Sequence, residues 1–131
     1  TTCSPTGSTT WKPIMAIDWS NYWHFSEVDF PSSRGEPSET LLEMLDEARE
    51  IAGVPFIITS GVRPPDGPDD TSSHITGLAA DISAANSRYR FKILESLYAV
   101  GFRRIGIYNL HLHADIDESK DQDVCWIGKS K

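Results

Sequence analysis

Apolar residues recur at Leu41, Met44, Leu45, Ala48, Ile51 and Ala52, the spacing of one helical face over residues 38–52, and Gly53 stands where such a helix would end. A short β-branched run at 54–59 (VPFIIT), bounded by Gly53 and Gly61, predicts a buried strand. Residues 61–73 are loop by composition, and 77–83 (GLAADIS) predicts a further strand. Ser87 is placed to cap a second helix reaching to about Val100, with Phe91, Leu94 and Tyr98 on its inner face and Gly101 after it. Three β patterns follow, at 104–108, 110–117 and 124–127. Strands gathered late in the chain and separated by short turns predict an antiparallel sheet packed on two main helices, an α+β fold.

The first thirteen residues are rich in Thr, Ser and Pro and predict an irregular arm, while 19–30 (WSNYWHFSEVDF) is a dense aromatic cluster that either plugs the core or lines a cleft. A chain of 131 residues suits one domain. Its 39% apolar and 24% charged content is that of an ordinary globular protein. Twelve basic against nineteen acidic residues give a net charge of −7, which opposes attraction to nucleic-acid phosphates and anionic membrane surfaces, so neither is an expected partner. No apolar run approaches the roughly 20 residues of a membrane span. No charged-then-apolar leader pattern stands at Thr1, which leaves open whether a signal was removed or never existed. Cys3 and Cys125 are too far apart for a CxxC motif; they permit one bridge between the ends of the chain or two unrelated thiols.

The chemistry concentrates in His111-Leu112-His113-Ala114-Asp115-Ile116-Asp117, where polar and apolar residues alternate strictly. On a strand this points His111, His113, Asp115 and Asp117 one way and Leu112, Ala114 and Ile116 into the core. A catalytic zinc site needs three protein ligands and an open position, and one strand rarely supplies all three. Further partners are offered by His74 and Asp81, with Gly77, Ala79 and Ala80 small enough for close backbone packing around them. The acidic loop Asp66-Gly67-Pro68-Asp69-Asp70 reads either as a hard-cation site, for calcium, or as a solvated turn. His24, among aromatics, reads as a core histidine, and Asp117 with 118–123 as exposed.

The string S-x-H-x-x-G-x-A-x-D at 72–81, preceded by Ser60-Gly61-Val62-Arg63-Pro64 and followed by H-x-D at 113–115, resembles the zinc D-Ala-D-Ala carboxypeptidase family. That family includes the vancomycin-resistance D-Ala-D-Ala dipeptidases and phage endolysins of the L-alanyl-D-glutamate peptidase type, and it shares a metal core with the hedgehog signalling domain. The agreement in order, spacing and residue type runs over residues 56–126.

The resemblance implies one catalytic zinc held by His74, Asp81 and His113, with Arg63 steadying the developing oxyanion. It also implies a peptidoglycan stem peptide as substrate, a monomer, and action on the cell wall by a secreted, periplasmic or phage-encoded protein. The best-known members place an acid three residues before the last histidine ligand, where this chain has Leu110. Asp115 then becomes the candidate general base, or alternatively the hydrogen-bond partner of a ligand imidazole. His111 resembles the flanking histidine of hedgehog domains, able to donate to a tetrahedral intermediate or to orient substrate. A zinc-containing binding module of the same fold, without hydrolysis, is the competing expectation.

Overall fold

The computed structural model describes residues 17–31 and 35–129. The arm at 1–13 and Cys3 fall outside them, and with Cys3 the question of a Cys3–Cys125 bridge. Helix α1 (Glu39–Ala52) opens where the Ser38 hydroxyl accepts from the Leu41 amide at 3.3 Å and closes on the left-handed Gly53. Its core stripe is Leu41, Leu42, Leu45, Ala48 and Ala52. Leu42 joins the stripe and Ile51 leaves it, half-exposed at 51%. At about 100° per residue, Ile51 lies roughly a quarter-turn away from the Leu41–Leu45–Ala52 line.

Helix α2 (Ser87–Ala99) corrects two sequence expectations. Its cap is Asn86, whose side-chain oxygen accepts from the Arg88 and Tyr89 amides, so Ser87 is already inside the helix. Its inner face is Ile93, Ser96 and Leu97, whereas Phe91 is 66% exposed and Tyr98 also faces solvent. Either set of positions satisfies helical spacing. The buried face includes Ser96, a small side chain whose hydroxyl returns to the Ile93 carbonyl (2.8 Å), and α2 packs against α1. Leu94 sits at the margin of the core.

Both helices pack against a five-stranded sheet ordered β1-β2-β4-β3-β5, with β1 Ile58–Ser60, β2 Ala79–Ser83, β3 Arg104–Ile107, β4 His111–Asp115 and β5 Val124–Ile127. The protein is a single small α+β domain. The sheet is mixed rather than wholly antiparallel, because β5 pairs with β3 in parallel. After β4 the chain reverses, so β5 runs against β4, but it passes the end of β3 and lands on that strand's far side. Arg103 holds the returning loop through a paired contact with Asp123 (2.7 and 2.6 Å), and Arg104 through the Asp121 carbonyl (2.6 Å).

Ahead of α1 the aromatic cluster serves the core: Phe25 and Phe30 are buried edge-to-face at 5.7 Å, with Trp19 and Tyr22 packed beside them. Asp46, buried on α1, fixes this segment by accepting from the Trp23 and His24 amides. His24 is half-buried and pairs with Glu50 at 2.8 Å rather than lying in the core. No helix among the described residues is long and apolar enough to cross a membrane.

The observed face of α2 has a direct test. Leu97→Ala should cost about 2–5 kcal/mol and Phe91→Ala no more than about 0.5 kcal/mol in denaturant unfolding. The reverse order would restore the face anticipated from sequence.

Candidate metal centre

Strand register brings the polar groups together. In the β2–β4 ladder Asp81 lies directly opposite His113, so their side chains emerge on one face as close cross-strand neighbours. His74 comes from the preceding turn, which is anchored when Arg63 N donates to the His74 carbonyl at 3.4 Å and Leu78 N to the Ser73 carbonyl at 3.0 Å. Gly77 has φ +77°, and a Cβ there would press on the Glu36 carbonyl at 2.9 Å. Its role is thus to let this turn cross the start of α1, not to crowd the metal region.

His74, Asp81 and His113 offer ligand atoms that all lie within 4.8 Å of one another. His74 Nε2 is 3.2 Å and His113 Nδ1 3.1 Å from Asp81 Oδ1. Zinc bonds of about 2.0–2.2 Å in a tetrahedron place ligand atoms roughly 3.3 Å apart, so this donor set fits such an ion. The tautomers fit as well. His74 Nδ1–H donates to the Gly61 carbonyl at 2.9 Å, so Nε2 is the nitrogen turned toward Asp81 and available to a metal. His113 Nε2–H donates to Asp115 at 2.7 Å, so Nδ1 is the nitrogen turned toward Asp81, which it can meet as a donor when protonated or surrender to a metal. Each imidazole is thereby held by its far nitrogen, as metal-binding histidines generally are.

Asp115 is 1% exposed, and its carboxylate is fully engaged. One oxygen accepts from His113; the other accepts from Arg104 Nε at 2.7 Å and the Asp117 amide at 3.1 Å. Arg104 was not anticipated from sequence, although it lies opposite Asp115 in the β3–β4 register. Asp117 is buried rather than exposed, as β4 has already ended at Asp115. Its carboxylate accepts from Ser73 Oγ (2.7 Å) and Ser119, tying the turn before His74 to the loop after β4.

The three candidate ligands open into a cleft of about 550 Å³ whose wall includes Arg63, Tyr108, Leu110, His111 and Lys129. A cavity of about 650 Å³ at the other end of the sheet is lined by Asp115 and Asp117, but both carboxylates are already hydrogen-bonded within the protein. His111 stacks on Tyr108 at 4.4 Å and 10°, with Nε2 3.8 Å from Asp81. It flanks the triad without joining it. Arg63 reaches the cleft with one guanidinium nitrogen held by Asp70 at 2.8 Å. Asp70 also accepts from the Asp66 and Ser72 amides, so the acidic loop is a turn closed on its own carboxylate. Among the described residues His74, Asp81 and His113 form the cluster that could hold a metal ion, with no second such cluster in that loop.

Burial pushes the Asp81 carboxyl up, yet hydrogen bonds from His113 and His74 outweigh it and hold the group well below the usual carboxylate range. Burial likewise works against a charged His113, but Asp115 and Asp81 on either side raise its pKa. For Asp115, burial is again outweighed, here by His113 and the Asp117 amide, and its pKa falls. A group with a raised folded pKa stabilises below its unfolded value of about 6.5 and loses that contribution as pH climbs through the folded value. The depressed carboxylates contribute above about 3.9 and lose that contribution as pH falls through their folded values. Metal-free protein should therefore melt at progressively lower temperature as pH rises past neutrality, and again in strong acid. Metal-loaded protein should show the opposite trend around neutrality, since the metal displaces the His113 proton. Thermal unfolding with chelator and with zinc checks both; parallel pH profiles would contradict a His113 proton held by Asp115 and Asp81 and displaced by the metal.

Neither curated proteins nor solved structures gave a match. The family described as Peptidase M15 matches residues 24–117, which include α1, the His74 turn, β2 and all of β4. That span covers most of the 131 residues and contains each of the three groups that fit a metal. The chain belongs to the peptidase M15 family of zinc-dependent metallopeptidases.

Proposed function

We propose that this protein hydrolyses an amide bond in peptidoglycan stem peptides, as a D-Ala-D-Ala carboxypeptidase or a murein endopeptidase. The observation that carries the reading is the convergence of His74, Asp81 and His113 at the base of an open cleft, with one ring nitrogen of each imidazole turned toward Asp81. When bound there, one zinc supplies a Lewis acid that polarises the scissile carbonyl and lowers the pKa of water into the nucleophilic range.

The chain's own residues divide the remaining work. Asp115 fixes the His113 ring and raises its basicity, and its burial and full engagement suit that role better than proton transfer to substrate. Among the described cleft residues outside the triad, His111 carries an imidazole, a group able both to accept and to donate a proton. It is placed to pass a proton to the leaving amine. Arg63, steadied by Asp70, presents its guanidinium to the carbonyl oxygen as negative charge develops. Leu110 offers no carboxylate at the rim, which favours the alternative of a zinc-containing binding module.

Release of D-Ala from purified peptidoglycan indicates a carboxypeptidase, and new amino termini indicate an endopeptidase; both should stop with chelator. A zinc-loaded protein inert on every stem peptide would leave the binding module. His113→Ala should abolish zinc binding in equilibrium titration, and retention of wild-type affinity would remove it from the ligand set. Asp115→Asn should weaken zinc by about tenfold to a hundredfold. Unchanged affinity with turnover abolished would instead make Asp115 the base.

A further inference from the structure

β5 lies outside residues 24–117, yet its Trp126 touches the metal region at three points. The indole is tilted against the His113 ring, centroids 5.5 Å apart. Arg104 lies over the same indole, its guanidinium carbon 5.1 Å from the centroid, while its Nε holds Asp115, which in turn holds His113. On the third side the indole Nε1–H donates to the Tyr108 hydroxyl at 3.3 Å, and Tyr108 is the ring on which His111 stacks. Two separate lines of contact thus run from one indole to the two imidazoles of β4.

The backbone is shaped to receive both aromatic rings. Gly106 is in register with His113 on one side and Trp126 on the other, and a Cβ there would lie 2.6 Å from the indole. A Cβ at Gly128 would collide with the Tyr108 ring. Arg90 holds the intervening turn by donating to the Ala84, Tyr108 and Asn109 carbonyls. An unconstrained imidazole at the mouth of a cleft samples several ring orientations. Stacking on an immobilised ring selects one of them.

We propose that Trp126 is a positioning residue of the site: through Tyr108 it sets the orientation of His111 toward substrate, and through Arg104 and direct contact it sets that of His113 toward the metal. The His111 half rests on the peptidase reading above, whereas ring orientation is measurable without any turnover.

The test compares Trp126→Phe, Trp126→Leu and Tyr108→Phe with wild type. Imidazole proton resonances are recorded in metal-free protein at fixed pH, zinc affinity by chelator competition, and kcat and KM on stem peptide. Trp126→Phe keeps a ring against His113 and Arg104 but loses the donor to Tyr108. Its zinc affinity should stay near wild type, while the His111 resonances move away from their stacked positions and kcat falls more than KM changes. Tyr108→Phe should displace the same resonances by removing the acceptor. Trp126→Leu should in addition weaken zinc by about tenfold to a hundredfold, as loss of a contact behind a ligand does. Unmoved His111 resonances in both conservative variants would overturn the proposal, whether or not Trp126→Leu folds. A wild-type protein inert on peptides would sink the peptidase reading and leave the resonance result standing.

Discussion

The site depends on one cross-strand pair. Asp81 on β2 faces His113 on β4, and a slip of one residue in that ladder would turn one of them to the opposite face of the sheet. The register is secured from behind by Ile82 opposite Leu112 and Ala80 opposite Ala114, all fully buried against the helices. Hydrophobic burial on one face therefore fixes polar geometry on the other. His74 completes the set from a turn that is tied to both the strand after it and the loop after β4.

Around this pair, each ring is oriented by a group outside the His74–Asp81–His113 set. The Gly61 carbonyl holds His74, Asp115 holds His113, and Tyr108 holds His111. Asp115 in turn depends on Arg104, and both Arg104 and Tyr108 meet Trp126. Buried polar networks of this kind are favourable only when every member is satisfied. Among the described residues, no buried side-chain nitrogen or oxygen lacks a partner. The cost of placing charge behind the imidazoles is offset by the hydrogen bonds that fix their direction.

Much of this was legible in the sequence, for identifiable reasons. Strict alternation from His111 to Asp115 announces a strand with chemistry on one face, whereas His74 and Asp81, whose spacing alone says little, are picked out by the resemblance of the string at 72–81 to the family's. Helix α1 is read from its stripe because the apolar positions share one helical spacing, although Ile51 falls outside the face that is buried. Helix α2 is misread because Phe91, Leu94 and Tyr98 share helical spacing just as Ile93 and Leu97 do, and only contact with α1 decides between them. The parallel placement of β5 is a property of the path around β3, which local pattern does not encode. Asp117 is similar: alternation places it on the exposed face, but the strand ends before it and Ser73, distant in sequence, draws it inward. Arg104 and Trp126 become meaningful only once register sets them beside Asp115 and Gly106.

X-ray absorption on protein loaded with one equivalent of zinc examines the central claim with least intervening inference. The account predicts a shell of nitrogen and oxygen at about 2.0–2.2 Å, with the outer scattering of two imidazoles and no sulfur. A thiolate signal, a third imidazole, or a purely oxygen shell would contradict it.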